Sequence, residues 1–165
     1  MNPKKIIAAA IIASGTLSHA GADQLEQRWL DMIASGKAYP AEELMPLFEQ
    51  LEAVDLEFMV GTWKGGKFDG GAEPDPINWY GKRFVSPVHV EPLLVTAADG
   101  SVQVYDKLGA AQMREIRYAG KVSAALIYDR QPIMDYFRKV NDNVVIGLGD
   151  IKGKPTDFFF HLTRD

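Results

Sequence analysis

The sequence predicts a mainly β protein, a closed antiparallel β-barrel with one or two N-terminal α-helices covering one end. Three observations carry this expectation. Apolar residues between Asp23 and Leu51 fall at helical spacing, and beyond Met59 the period changes to two. The segments after Met59 are short and joined by tight-turn residues, which gives antiparallel meander order. About eight or nine of them follow one another, the number at which a sheet closes around a packed core or one small ligand.

The first element is a leader. Lys4 and Lys5 supply a positive start, Ile6 to Leu17 is mostly apolar but too short to span a bilayer, and Ser18-His19-Ala20 ends it with small residues. This predicts a signal peptide over residues 1–20, hence a periplasmic or secreted protein with no membrane attachment after cleavage. The alternatives are a helix packed on the fold and an uncleaved anchor. The remaining chain, roughly 145 residues, is the size of one domain. It divides into a helical segment, 21–58, and a single barrel, 59–165, built from parts 59–107 and 108–165. Losing Lys4 and Lys5 moves the formal net charge from −4 to −6. An acidic chain without a Lys/Arg cluster argues against nucleic acid and anionic membrane surfaces as partners. The chain has no cysteine, so it has no disulfide framework. Oligomeric state is not encoded in these features.

Asp23 to Ser35 is an amphipathic helix by spacing, with Leu25, Trp29, Met32 and Ile33 on one side and Gly36 as its stop. Pro40 opens a second helix carrying Leu44, Leu47, Phe48 and Leu51. Pro46 does not suit a helix interior, which predicts a kink or two short pieces. Val60 to Phe68 is the first strand, and Asp69 to Asp75 is a loop. Tyr80–Phe84, Val90–Ala97 and Val102–Lys107 are weaker strands, with a turn signal at Asp99-Gly100. Met113–Tyr118, Val122–Asp129, Ile133–Val140, Val144–Ile151 and Phe158–Thr163 have strand length and are separated by Gly, Pro, Asn and Asp.

Two motifs are familiar. Met59-Val60-Gly61-Thr62-Trp63-Lys64-Gly65, followed by Asn78-Trp79-Tyr80-Gly81-Lys82-Arg83-Phe84, resembles the GXWXG domain. Ala111 to Asp150, with Met113-Arg114-Glu115, Arg117-Tyr118-Ala119-Gly120 and Pro132-Ile133-Met134-Asp135-Tyr136-Phe137-Arg138, resembles its companion C-terminal domain, domain-of-unknown-function family 4334. The resemblance implies a lipocalin-like β-barrel and no particular activity. The leader is extra to the family pattern, and His161 stands where an aromatic residue is expected. Neither half has enough strands to close a sheet alone, so the two should form one barrel.

Several residues are candidates for chemistry. Gly61, Gly66 and Lys67 approximate a phosphate-binding loop, but Phe68 occupies the position of the required Ser or Thr, and no nucleotide site follows. The glycines instead relieve crowding on a coiled strand, with Trp63 plugging one barrel end. A small, largely apolar ligand would be walled by Trp63, Phe84, Leu94, Leu126, Tyr128 and Phe160, with Tyr118 and Tyr136. Arg114 or Arg138 would orient its polar end. The alternative for these arginines is a structural pair with Asp129 or Asp150. An enzyme on the same scaffold, an isomerase, cyclase or hydrolase, would use Asp135, Arg138 and Tyr136 as catalytic residues. His161 is the haem alternative, as in nitrobindin-like barrels. Strand alternation points it away from Phe158 and Phe160. His89 and His161 are not at metal-ligand spacing, so neither a metal site nor a resident cofactor is expected. Lys82 and Arg83, next to Trp79 and Tyr80, read as a solvated edge, with a place flanking the barrel entrance as the alternative.

Overall fold

The computed structural model describes residues 13–165, so most of the predicted leader, residues 1–12, lies outside the described residues. Three α-helices come first among them: α1 (Ala13–Ser35), α2 (Ala41–Gln50) and the single turn α3 (Leu56–Met59). Nine strands follow: β1 (Gly61–Lys67), β2 (Trp79–Ser86), β3 (His89–Thr96), β4 (Val102–Val104), β5 (Ala111–Tyr118), β6 (Lys121–Tyr128), β7 (Ile133–Asn141), β8 (Val144–Ile151) and β9 (Phe158–Arg164).

All nine strands belong to one antiparallel sheet, and eight of them pair in a ring. β5 to β9 form a meander, β9 pairs with β1, and β1 with β2 and β2 with β3 continue it. The seam is narrow, because β3 meets β5 through the single pair Val90–Ala111. β4 lies outside the ring on β3. Asp106 and Lys107, expected as the end of β4, instead belong to a 3-10 turn, Asp106–Leu108, that leads into β5.

Glycines on β1 and β2 let the ring curve tightly. A Cβ on Gly81 would lie 1.9 Å from the carbonyl oxygen of Trp63, and one on Gly65 would lie 2.3 Å from the Trp79 ring. Only hydrogen fits at either position. The register of β2 against β3 slips at Gly81, as a bulge requires.

The interior side of the ring is packed by Trp63, Phe84, Met113, Leu126, Phe137 and Phe160, closed at one end by Val54 and by Met59 of α3. Trp63 plugs that end. Its Nε1 donates to the Met59 carbonyl at 2.8 Å, and the Arg164 guanidinium lies 4.1 Å from its ring centre. Asp55 caps α3, its carboxylate accepting from the Phe58 amide at 2.7 Å.

The helices do not lie where the sequence placed them. Rather than capping an opening, α1 and α2 pack on the other side of the sheet. There Trp29, Leu44 and Phe48 meet Tyr136, Val140, Ile146, Leu148 and Phe159. The physical reason is in β7 and β8, which carry buried residues on both faces. One face fills the ring, and the second must be covered. Pro46 also stays inside a continuous α2. It removes one helical hydrogen bond, a cost of about 3 kcal/mol. Burying Leu44, Leu47 and Phe48 offsets this at about 1.5–3 kcal/mol each.

Candidate functional site

The end of the ring opposite Trp63 is open. The ends of β1, β6 and β8 and the starts of β2, β7 and β9 surround a cavity of about 900 Å³ there. The loop between β1 and β2 and the turn between α1 and α2 complete its wall. Trp79, Leu93, Ile133, Phe158 and Phe160 make the lining largely apolar. Lys67, Asp69, Glu73, Asp75 and Asp157 line it as well, so the charged part of the wall is predominantly acidic. The Lys67 ammonium, 2.8 Å from Asp69, forms an ion pair with that carboxylate and holds its pKa below the usual range.

Three polar side chains stand among these apolar walls. Lys82 comes from the middle of β2, Tyr128 from the end of β6 and Asp135 from the start of β7. Lys82 Nζ is 2.9 Å from Asp135 Oδ2, and both side chains are about 5% exposed or less. The same ammonium donates to the Pro92 carbonyl at 3.1 Å and to Tyr128 Oη at 3.2 Å. It also sits 5.1 Å from the centre of the Phe160 ring and 5.5 Å from that of Tyr128.

Burial alone would push the Lys82 pKa down. The Asp135 carboxylate, joined by Tyr128, more than reverses this, and the ammonium is held charged with a raised pKa. Burial raises the Tyr128 pKa, against the pull of Lys82, so the phenol keeps its proton at neutral pH. Asp135 has little other support. Beyond the Lys82 ammonium, no hydroxyl or backbone N–H among the described residues donates to the carboxylate.

The residues singled out from the sequence divide between the two faces. Trp63, Phe84, Leu126, Tyr128 and Phe160 lie on the interior side with Asp135. Tyr128, Asp135 and Phe160 border the cavity, whereas Trp63, Phe84 and Leu126 are packed deeper. Tyr118, Tyr136 and Arg138 lie on the helix-covered side. Tyr118 and Tyr136 stack with ring centres 4.2 Å apart, and Tyr136 donates to Asp150 at 2.9 Å. Burial and Asp150 push the Tyr136 pKa up to about 12.

Arg138 is fully buried there without a carboxylate partner among the described residues. It donates to the carbonyls of Phe137 and Tyr118 and lies against the Phe48 ring, and burial lowers its pKa. Arg114 donates to the Met113 carbonyl and does not border the cavity. His161 also faces the helices, edge-on to Phe68 at 5.4 Å and directly over Gly66. Burial alone lowers its pKa to about 4.

The residue the sequence reading missed is Lys82, which is 3% exposed rather than part of a solvated edge. The signal was available two residues away, since Phe84 shares its strand face and is buried. Arg83, on the other face, pairs with Glu91 at 2.7 Å, nearer the solvated role expected for both.

The comparisons bear on this arrangement. A family model described as "GXWXG protein" matches residues 46–100, and one described as "Domain of unknown function (DUF4334)" matches residues 109–164. A crystal structure of a protein from Thermomonospora curvata is similar at 48% identity, covering 86% of this chain and 99% of that one, with a TM-score of 0.80. Comparison with curated proteins finds no match.

Proposed function

The chain belongs to the GXWXG family with its DUF4334 companion, and from that premise we propose an exported lipocalin-like carrier that binds a small, largely apolar molecule. The observation that carries this reading is the cavity of about 900 Å³ at one end of the ring, apolar over most of its wall. In a closed lipocalin-like barrel the filled Trp63 end would be the base and the open end the entrance. Export follows from the leader-like residues 1–20. The polar end of the ligand meets Lys82, Tyr128 and Asp135, because Arg114 and Arg138 do not border the cavity.

Native mass spectrometry of the protein purified from its source cells tests this reading. The expected spectrum contains, beside the free chain, a species heavier by one small organic molecule that is released on denaturation. Repeated preparations that carry nothing, and that also fail to take up a neutral lipophilic dye, overturn it.

A further inference from the structure

We propose that the polar end of the ligand is a hydroxyl group, so that the cavity selects an uncharged apolar alcohol over the matching carboxylate or ketone. This rests on the carrier reading above and adds the chemical class. The argument is an accounting of donors and acceptors at the cavity floor. Lys82 has three N–H donors and three partners, Asp135, Pro92 and Tyr128, so the ammonium is fully committed within the protein. Tyr128 Oη accepts from Lys82, and that is its only hydrogen bond among the described residues. Its own O–H is therefore free to donate. Asp135 lines the cavity, is 4% exposed, and beyond the Lys82 ammonium receives no hydrogen bond among the described residues. Its carboxylate is therefore free to accept.

One free donor beside one free acceptor matches an alcohol, which accepts from Tyr128 and donates to Asp135. A ketone satisfies Tyr128 but leaves the remaining Asp135 acceptor capacity unmet, and a buried acceptor left unmet is what makes such sites selective. A carboxylate brings a second negative charge to Asp135, whose countercharge Lys82 already supplies. It must also pass Asp69, Glu73, Asp75 and Asp157, opposed on the cavity wall by Lys67 and Lys82.

Displacement of the neutral dye N-phenyl-1-naphthylamine by 1-decanol, 2-decanone and decanoate tests the inference on the full chain. The alcohol is expected to compete roughly tenfold better than the ketone and better still than decanoate, the size of one lost hydrogen bond at a buried site. In Tyr128→Phe, competition by the alcohol, scaled to that variant's own affinity for the dye, should fall about tenfold. Asp135→Asn, which keeps an acceptor but removes the charge, should narrow the gap between alcohol and decanoate. Near-ultraviolet circular dichroism checks that each variant is folded. Decanoate or the ketone competing as well as the alcohol in the wild-type protein overturns the hydroxyl assignment and leaves the carrier reading standing. Failure of the dye and all three probes to bind overturns both.

Discussion

The two ends of the ring solve the same closure problem in opposite ways. At the Trp63 end the buried indole is matched inside the protein. The indole N–H reaches the Met59 carbonyl, Arg164 covers the ring, and Phe84 and Phe137 pack edge to face. At the Lys82 end the ammonium is satisfied, but Asp135 and the Tyr128 hydroxyl keep bonding capacity unspent beside open space. Evenly packed interiors leave few such groups. On the carrier reading proposed above, the contrast puts binding at the end that is less completely folded in on itself, and stability at the other.

The sharpest way to break this comparison is Trp63→Ala. It removes the plug and its hydrogen bond, and denaturant unfolding should show a loss of about 5 kcal/mol. A loss below about 2 kcal/mol would mean that this end is not the structural one. Next comes Lys82→Met, which strands a buried carboxylate and should cost about 3 kcal/mol at neutral pH. Pairing it with Asp135→Leu should restore much of that loss, because the double variant leaves no unpaired charge. If the double variant is no more stable than the single, the ion pair is not what the site depends on.

The third effect belongs to neither end. His161 sits partway along β9 under the helices, with Nδ1 buried and unpartnered. Its folded pKa of about 4 lies below the ordinary 6.5, so the unfolded chain takes up the proton first. Stability is therefore complete above about pH 6.5 and declines as pH falls toward about 4, by roughly 1–3 kcal/mol. His161→Phe should flatten this part of the curve in urea titrations from pH 4 to 7, and an unchanged slope would assign it to other groups. The smallest effect is expected at the open end. Phe158 is 47% exposed, so Phe158→Ala should cost about 1 kcal/mol of stability yet weaken dye uptake.

Strand order and most boundaries were readable because turns at Ala119-Gly120, Asn141-Asp142-Asn143 and Gly153-Lys154-Pro155 punctuate the second half. What alternation could not supply was which face is inside. On β7, Asp135 and Phe137 alternate with Tyr136 and Arg138, and both sets are buried. A strand covered by helices on one side and by the ring interior on the other has no solvent face to break the tie. That is why Tyr136 and Arg138 were grouped with Tyr128 in the sequence reading while the structure sets them under α2. Lys82 was obscured by a related rule, since a lysine is almost never fully buried unless paired. Its partner lies on a distant strand, more than fifty positions along the chain, where no local pattern could reveal it.

Lys82 comes from the stretch matched by one family model, while Asp135 and Tyr128 come from the stretch matched by the other. Cut between Gly100 and Gly109, each fragment would carry half of a charge pair with nothing to neutralise it in a greasy interior. The two pieces should consequently be poor as solitary polypeptides and good at finding one another. The pairing of ammonium and carboxylate would then act as a molecular proofreader that registers whether the correct halves have met.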